Sequence, residues 1–268
     1  MLRWSINLFR IFGIQLSVHA SFLLLLAYYA VEGWQHAVST GNPGVVGMFW
    51  RVLLIVSFFV CVVLHELGHS LTARRYGVQV PRILLMPIGG MAEFDRIPRK
   101  PSAELLITIA GPAVNFVIVA ALLPIVWRAL WSEIEEPDMT CMRFALDIMG
   151  ANLLMGVFNL LPVFPMDGGR IFRAFLAMKL PYLRATFWAA WVGKILALVF
   201  AAIAALYFEN YLLAALFVFI FFAGDAEYKM LRRRELEAAY WAEMARRVTL
   251  FQPTPSEPEP PLLHHGPN

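Results

Sequence analysis

Val63-Leu64-His65-Glu66-Leu67-Gly68-His69-Ser70 closes an apolar run that begins near Met48. The run is long enough to cross a bilayer and reads as a membrane helix. On a helix, two histidines four residues apart project from one face and can share one metal ion. Glu66 faces the neighbouring quadrant, close enough to take a proton from a water at that metal. A zinc hydrolase needs this set: two neutral nitrogen ligands, a third ligand from elsewhere, an open position and a general base. An HExxH alone arises readily by chance, so its setting decides. A glutamate and two histidines at the end of a membrane-length run are costly there, which marks them as functional.

Composition sets the class around this motif. Of 268 residues, 60% are hydrophobic and 15% charged, against about 45–50% and about 25% in a soluble domain. Mean hydropathy is +0.65. One water-soluble core cannot hide that excess, which predicts an all-α polytopic membrane protein. Cys61 and Cys141 lie in or beside apolar runs and form neither a disulfide framework nor a CxxC site. The net charge of +3 does not point to nucleic acid, because the basic residues cluster in loops beside apolar runs. The first apolar run lacks a small-residue cleavage site, so no cleavable signal peptide is expected.

Six spans follow in order, at 16–34, 48–71, 103–131, 144–161, 187–207 and 211–224, the last short for a bilayer. Before them, Arg3 and Arg10 alternate with Trp4, Ile6, Leu8, Phe9, Ile11 and Phe12, which suits an interfacial strand or helix. Basic residues near helix ends set orientation. Arg74, Arg75, Arg82, Arg96, Arg99 and Lys100 follow the second span; Arg170, Arg173, Lys179 and Arg184 follow the fourth; Lys229, Arg232, Arg233 and Arg234 follow the sixth. The alternate loops have no Lys or Arg, and the one between the third and fourth spans carries Glu133, Glu135, Glu136 and Asp138. Both termini and the HELGH end are therefore expected in the cytoplasm. The stretch 225–251 reads as a cytoplasmic amphipathic helix, with Leu231, Leu236, Tyr240, Trp241 and Met244 on one face. The Pro-rich stretch 252–268 reads as disordered, and His264 and His265 within it are not expected to bind metal.

A second motif, Asn159-Leu160-Leu161-Pro162-Val163-Phe164-Pro165-Met166-Asp167-Gly168-Gly169-Arg170, leaves the fourth span on the HELGH side. Its prolines break the helix and its glycines permit a sharp turn. Asp167 then has two readings. It completes a His2Asp zinc site, or it caps a following helix. Asn115, inside the third span, is an interhelical hydrogen-bond partner or a substrate contact. Gly89-Gly90 is a plain turn or part of a strand edge that accepts an extended peptide. His19 reads as structural, and Glu93 and Asp95 as solvated.

The ordered pair of motifs resembles the site-2 protease family of intramembrane zinc metalloproteases. Ala110-Gly111-Pro112-Ala113-Val114-Asn115 is similar to its AGPxxN element, and Pro87-Ile88-Gly89-Gly90-Met91-Ala92 to its GG-containing sheet or re-entrant segment. Met166 stands where the family often has leucine, a swap of similar volume. The resemblance implies a membrane metalloprotease domain over 1–224, with a three-helix catalytic core at about 48–175 and a small β or re-entrant segment between the second and third helices. It implies one zinc per chain on His65, His69 and Asp167, with Glu66 as general acid and base. It also implies that Asn159 and Asn115 orient or polarise the substrate peptide, beside Gly89 and Gly90. No insertion is long enough for a PDZ-like domain, and the tail is too short for CBS domains.

The implied activity is intramembrane endoproteolysis in a bacterial or archaeal cell membrane. Its substrate would be a membrane protein such as a tethered transcription regulator, an anti-sigma factor or a signal-peptide remnant, and the chain itself could form a homo-oligomer. The competing reading is a non-catalytic scaffold or ion transporter with a buried His/carboxylate site. Transporters often repeat broken helices in two halves, and no such repeat is visible in this sequence.

Overall fold

The computed structural model describes residues 4–87, 89–95, 100–131 and 139–250. Arg96 and Arg99, the acidic loop 132–138 and the stretch 252–268 with His264 and His265 lie outside the described residues.

The chain starts as a hairpin of β1 (Ser5–Ile11) and β2 (Ile14–His19) and then enters α1 (Ser21–Ser39) and α2 (Gly44–Arg75). A second hairpin, β3 (Arg82–Met86) and β4 (Gly89–Glu93), precedes α3 (Pro101–Trp131) and α4 (Met139–Asn159). A short amphipathic helix, α5 (Asp167–Ala177), leads to α6 (Tyr182–Leu206) and α7 (Tyr211–Leu250). The molecule is mostly helical, with one small sheet.

That sheet is larger than a segment between two helices. Its order is β1-β2-β3-β4, with β2 parallel to β3 and both hairpins antiparallel. The expected first span therefore begins too early. Leu16, Ser17 and Val18 are buried in β2 between two neighbouring strands, so the helix starts at Ser21, whose backbone N–H donates to His19 Nδ1. Alternate apolar side chains Ile14, Leu16, Val18, Ile83 and Leu85 join Phe59, Val62, Val63 and Leu67 of α2 in one core. The sheet is thereby seated against the HELGH turn.

Five described helices are long and apolar enough to cross a membrane: α2, α3, α4, α6 and α7. Only 17–33% of the most apolar window of each is buried within the protein. The remaining apolar surface faces outward, which in water would be untenable and in lipid is ordinary. The chain is an integral membrane protein. α1, with Glu32, Gln35 and His36 in its second half, is not among the five. Residues 211–224 are no separate short helix either. α7 runs unbroken for 40 residues, so the expected amphipathic helix is its continuation.

Two expectations about charged residues change. Glu93 is not simply solvated but pairs with Arg82 across β3 and β4 at 2.5 Å. Arg173, counted among the cytoplasmic basic residues, is 2% exposed and pairs with Glu104.

Candidate metal centre

His65 lies 21 residues into α2, about 32 Å along it, close to the thickness of a hydrocarbon core of about 30 Å. His65 and His69 emerge from the same face, one turn apart. Gly68, between them, lets α3 approach: a Cβ there would stand 2.6 Å from the Ala110 carbonyl oxygen. α3 then meets both imidazoles. His69 Nδ1 donates to the Ile107 carbonyl at 2.8 Å, and His65 Nδ1 donates to Asn115 Oδ1 at 2.6 Å. With the proton of each ring fixed on Nδ1, each Nε2 presents its lone pair to the same point.

Asp167 arrives from α5. The loop before it folds back so tightly that a Cβ on Gly168 would be 2.1 Å from the Leu161 carbonyl, and one on Gly169 2.7 Å from Phe164 N. These glycines lie within the helix, so they serve close packing rather than the sharp turn expected of them. Met166, not Asp167, holds the N-cap position, and no side chain caps the helix. The carboxylate points instead at the imidazoles. Asp167 Oδ2 lies 3.1 Å from His69 Nε2 and 3.3 Å from His65 Nε2, and the two Nε2 atoms are 3.1 Å apart.

Three lone-pair donors converge on one point at 3.1–3.3 Å separations. Neutral rings and a carboxylate so placed repel one another unless a cation sits between them. Tetrahedral ligands about 2.0–2.2 Å from zinc are about 3.3–3.5 Å apart, so the triangle fits that ion with little adjustment. All three groups are buried. Among the described residues no second group of three His, Cys, Asp or Glu side chains converges in this way.

Glu66 is half-buried on the same turn of α2. Gly90 of β4 lies against it, so closely that a Cβ on Gly90 would be 2.7 Å from Glu66 Cγ. Gly89, with φ +135°, opens the strand. Asn159 is the last residue of α4 and half-buried, eight positions before Asp167. Asn115 takes the interhelical hydrogen-bond reading. It is 0% exposed, its Oδ1 is engaged by His65, and its Nδ2 donates to Asn152 Oδ1 at 3.0 Å. Both polar atoms thus tie α3 to its neighbours, through His65 of α2 and Asn152 of α4. Asn152, whose Nδ2 donates to the Ile148 carbonyl, was not singled out in the sequence. Its only sequence signal is a polar residue inside an apolar span, one helical turn before Gly156. A cavity of about 610 Å³ lined by Trp50, Arg51, Arg143 and Asp147 opens at the other end of α2 and shares no residue with the centre.

Fold and centre together define a class: a membrane-embedded helical protein with a buried two-histidine, one-carboxylate group that could hold a metal ion. Residues 53–203, more than half of the chain, match peptidase family M50, the site-2 proteases, and the chain belongs to that family. It is 41% identical over 226 residues to the zinc metalloprotease MJ0392 of Methanocaldococcus jannaschii, covering 84% of this chain and 61% of that protein. It is 33% identical over 214 residues to the putative zinc metalloprotease Rip3 of Mycobacterium tuberculosis, covering 75% of this chain and 51% of that one. The chain thus spans between one half and two thirds of the length of these relatives. The solved structure of the site-2 protease from Methanocaldococcus jannaschii matches with a TM-score of 0.54 at 39% identity, over 84% of this chain and 95% of that one.

Proposed function

We propose that this chain is an intramembrane zinc endopeptidase that cleaves transmembrane or membrane-adjacent segments of other proteins, as in regulated intramembrane proteolysis. The observation that carries the reading is the 3.1–3.3 Å triangle of His65 Nε2, His69 Nε2 and Asp167 Oδ2, built at the end of a membrane-length helix. The family membership and the zinc metalloproteases among its relatives support it. His65, His69 and Asp167 hold one zinc, which supplies Lewis acidity when bound.

The other steps belong to the chain. Glu66 takes the proton of the attacking water and passes it to the leaving amine nitrogen. Asn115 and the Ile107 carbonyl keep both imidazoles in the tautomer whose Nε2 is unprotonated. Peptide bonds in a helix are shielded, so the substrate must be extended where it is cut. Among the described residues β4 pairs only with β3, so its outer edge carries no strand there. An extended substrate adding to that edge would pass over Gly89 and Gly90, beside Glu66, while Asn159 engages a substrate carbonyl. Substrates of this kind are membrane-tethered transcription regulators, anti-sigma factors and signal-peptide remnants.

α1 completes a set of six spans in this reading, with both termini and the metal-site end cytoplasmic. Two conservative substitutions test the chemistry. Glu66→Gln should keep one zinc per chain and lose cleavage by about 10²–10⁴-fold, as expected on removing a general base. Asp167→Asn should lose zinc with the membrane fold intact, because a neutral amide oxygen is a poorer ligand. Near-normal cleavage by Glu66→Gln, or stoichiometric zinc in Asp167→Asn, contradicts the assignment.

A further inference from the structure

The metal centre is addressed from one face of α3. Ile107 accepts from His69, Gly111 leaves room for its ring, and Asn115 accepts from His65. Residues 104, 107, 111 and 115 recur at the three- and four-residue spacing that aligns side chains on one helix face. Glu104, the first of them, has no part in the chemistry above. Its side chain is 2% exposed. Its Oε1 accepts from Arg173 Nε at 2.9 Å, from Arg173 Nη2, and from the Tyr182 hydroxyl at 3.3 Å. Arg173 belongs to α5, six residues after Asp167, and its guanidinium lies over the rings of Phe164 at 5.2 Å and Tyr182 at 5.1 Å.

Such a pair is a poor way to gain stability. Desolvating two charges is costly, and apolar residues of equal volume commonly do as well. Glu104 Oε2, moreover, has no hydrogen-bond partner among the described residues. What the pair supplies is direction. A planar guanidinium with fixed donors, set over two rings and donating to Glu104 Oε1 from two nitrogens, would fix both the rotation and the slide of α5 on α3. An apolar contact would leave α5 free to shift, and its first residue is Asp167.

We propose that Glu104 and Arg173 are positioning residues for Asp167, so that one face of α3 sets the place of all three ligands: His69 through Ile107, His65 through Asn115, and Asp167 through the Glu104–Arg173 pair and the rigid length of α5. This rests on the zinc reading above. It makes the ion pair part of the site's geometry although it touches neither metal nor substrate.

The test uses the full chain in detergent. Glu104→Gln/Arg173→Met removes both charges at nearly constant length and should melt close to the wild type. Its zinc affinity, from chelator competition, should fall about 10–100-fold, the range for losing a group that orients a ligand. The Co²⁺-loaded protein should show altered visible bands, and saturating zinc should restore part of the cleavage. Arg173→Lys keeps the charge but not the fork, and should also weaken zinc binding; it carries the comparison independently of how the double variant folds. Variants that fold, bind zinc like the wild type and keep its Co²⁺ spectrum overturn the proposal. A wild-type chain that binds neither zinc nor Co²⁺ overturns the zinc reading instead, so the two failures are distinct.

Discussion

Gly111 sets the room available to His69. A Cβ there would stand 2.2 Å from His69 Nε2, so Gly111→Ala must either swing the imidazole off the Ile107 carbonyl or force α3 back. Both break the triangle, although alanine is the better helix former by about 1 kcal/mol. Gly111→Ala should therefore bind zinc about 100-fold more weakly or worse, as read by elemental analysis of purified protein, without a matching loss of thermal stability. Gly90→Ala separates base from metal. Its Cβ would meet Glu66 Cγ at 2.7 Å, and that flexible side chain can move. Zinc should stay in place while single-turnover cleavage slows by about 10-fold or more, because the proton acceptor is displaced. Zinc loss in Gly90→Ala would mean that the sheet supports the ligands themselves. At this scale His65, Glu66 and His69 were visible in the sequence because their chemistry is carried by residue type and spacing, while Asp167 stood there with two readings, ligand or cap. Asn152, Glu104 and Arg173 were not, since a lone polar residue in a span and a basic residue in a loop look the same whether paired or free.

α6 carries Ala185, Ala189, Gly193, Ala197 and Ala201 at intervals of four, all buried. A ridge of small residues lets helix backbones come close in a membrane. Here it admits the Pro162–Phe164 loop, for a Cβ on Gly193 would be 3.2 Å from Val163 Cα. The same loop leads into Asp167, and Val163 and Met166 share a core with Ala197, Ala201, Phe217 and Ile220. Gly193→Leu should overpack this contact, cost about 1–3 kcal/mol in a thermal melt and release zinc by moving Asp167. Full zinc occupancy in that variant would show that α5 is held without α6. α7 passes the same loop unbroken. Gly224 marks a helix end in the sequence, yet it lies inside the helix beside Phe164, where an added Cβ would stand 3.6 Å from the Phe164 carbonyl oxygen, an ordinary contact.

For the whole molecule the orientation proposal is directly testable. Cys61 is buried and Cys141 exposed, so Cys141 is first replaced by serine. Glu136→Cys should then react with an impermeant maleimide in intact cells, and Lys100→Cys only after permeabilisation. The reverse pattern would move the metal centre to the outer face. The sequence by itself determined the membrane class, the approximate helical segments and the HELGH and Asp167 motifs. These depend on total hydrophobicity, on helical period and on residue chemistry, all of which are local. Tertiary structure decided that residues 16–19 leave the expected first span for a sheet, because β3, more than sixty residues away, offers β2 a parallel edge. It made Asn115 the partner of His65 and Arg173, read as a topology signal, the buried partner of Glu104. It also put Met166 rather than Asp167 at the N-cap of α5 and brought the Asp167 carboxylate beside both imidazoles. Each of these outcomes depends on which distant backbone comes within hydrogen-bond reach, and no local pattern encodes that.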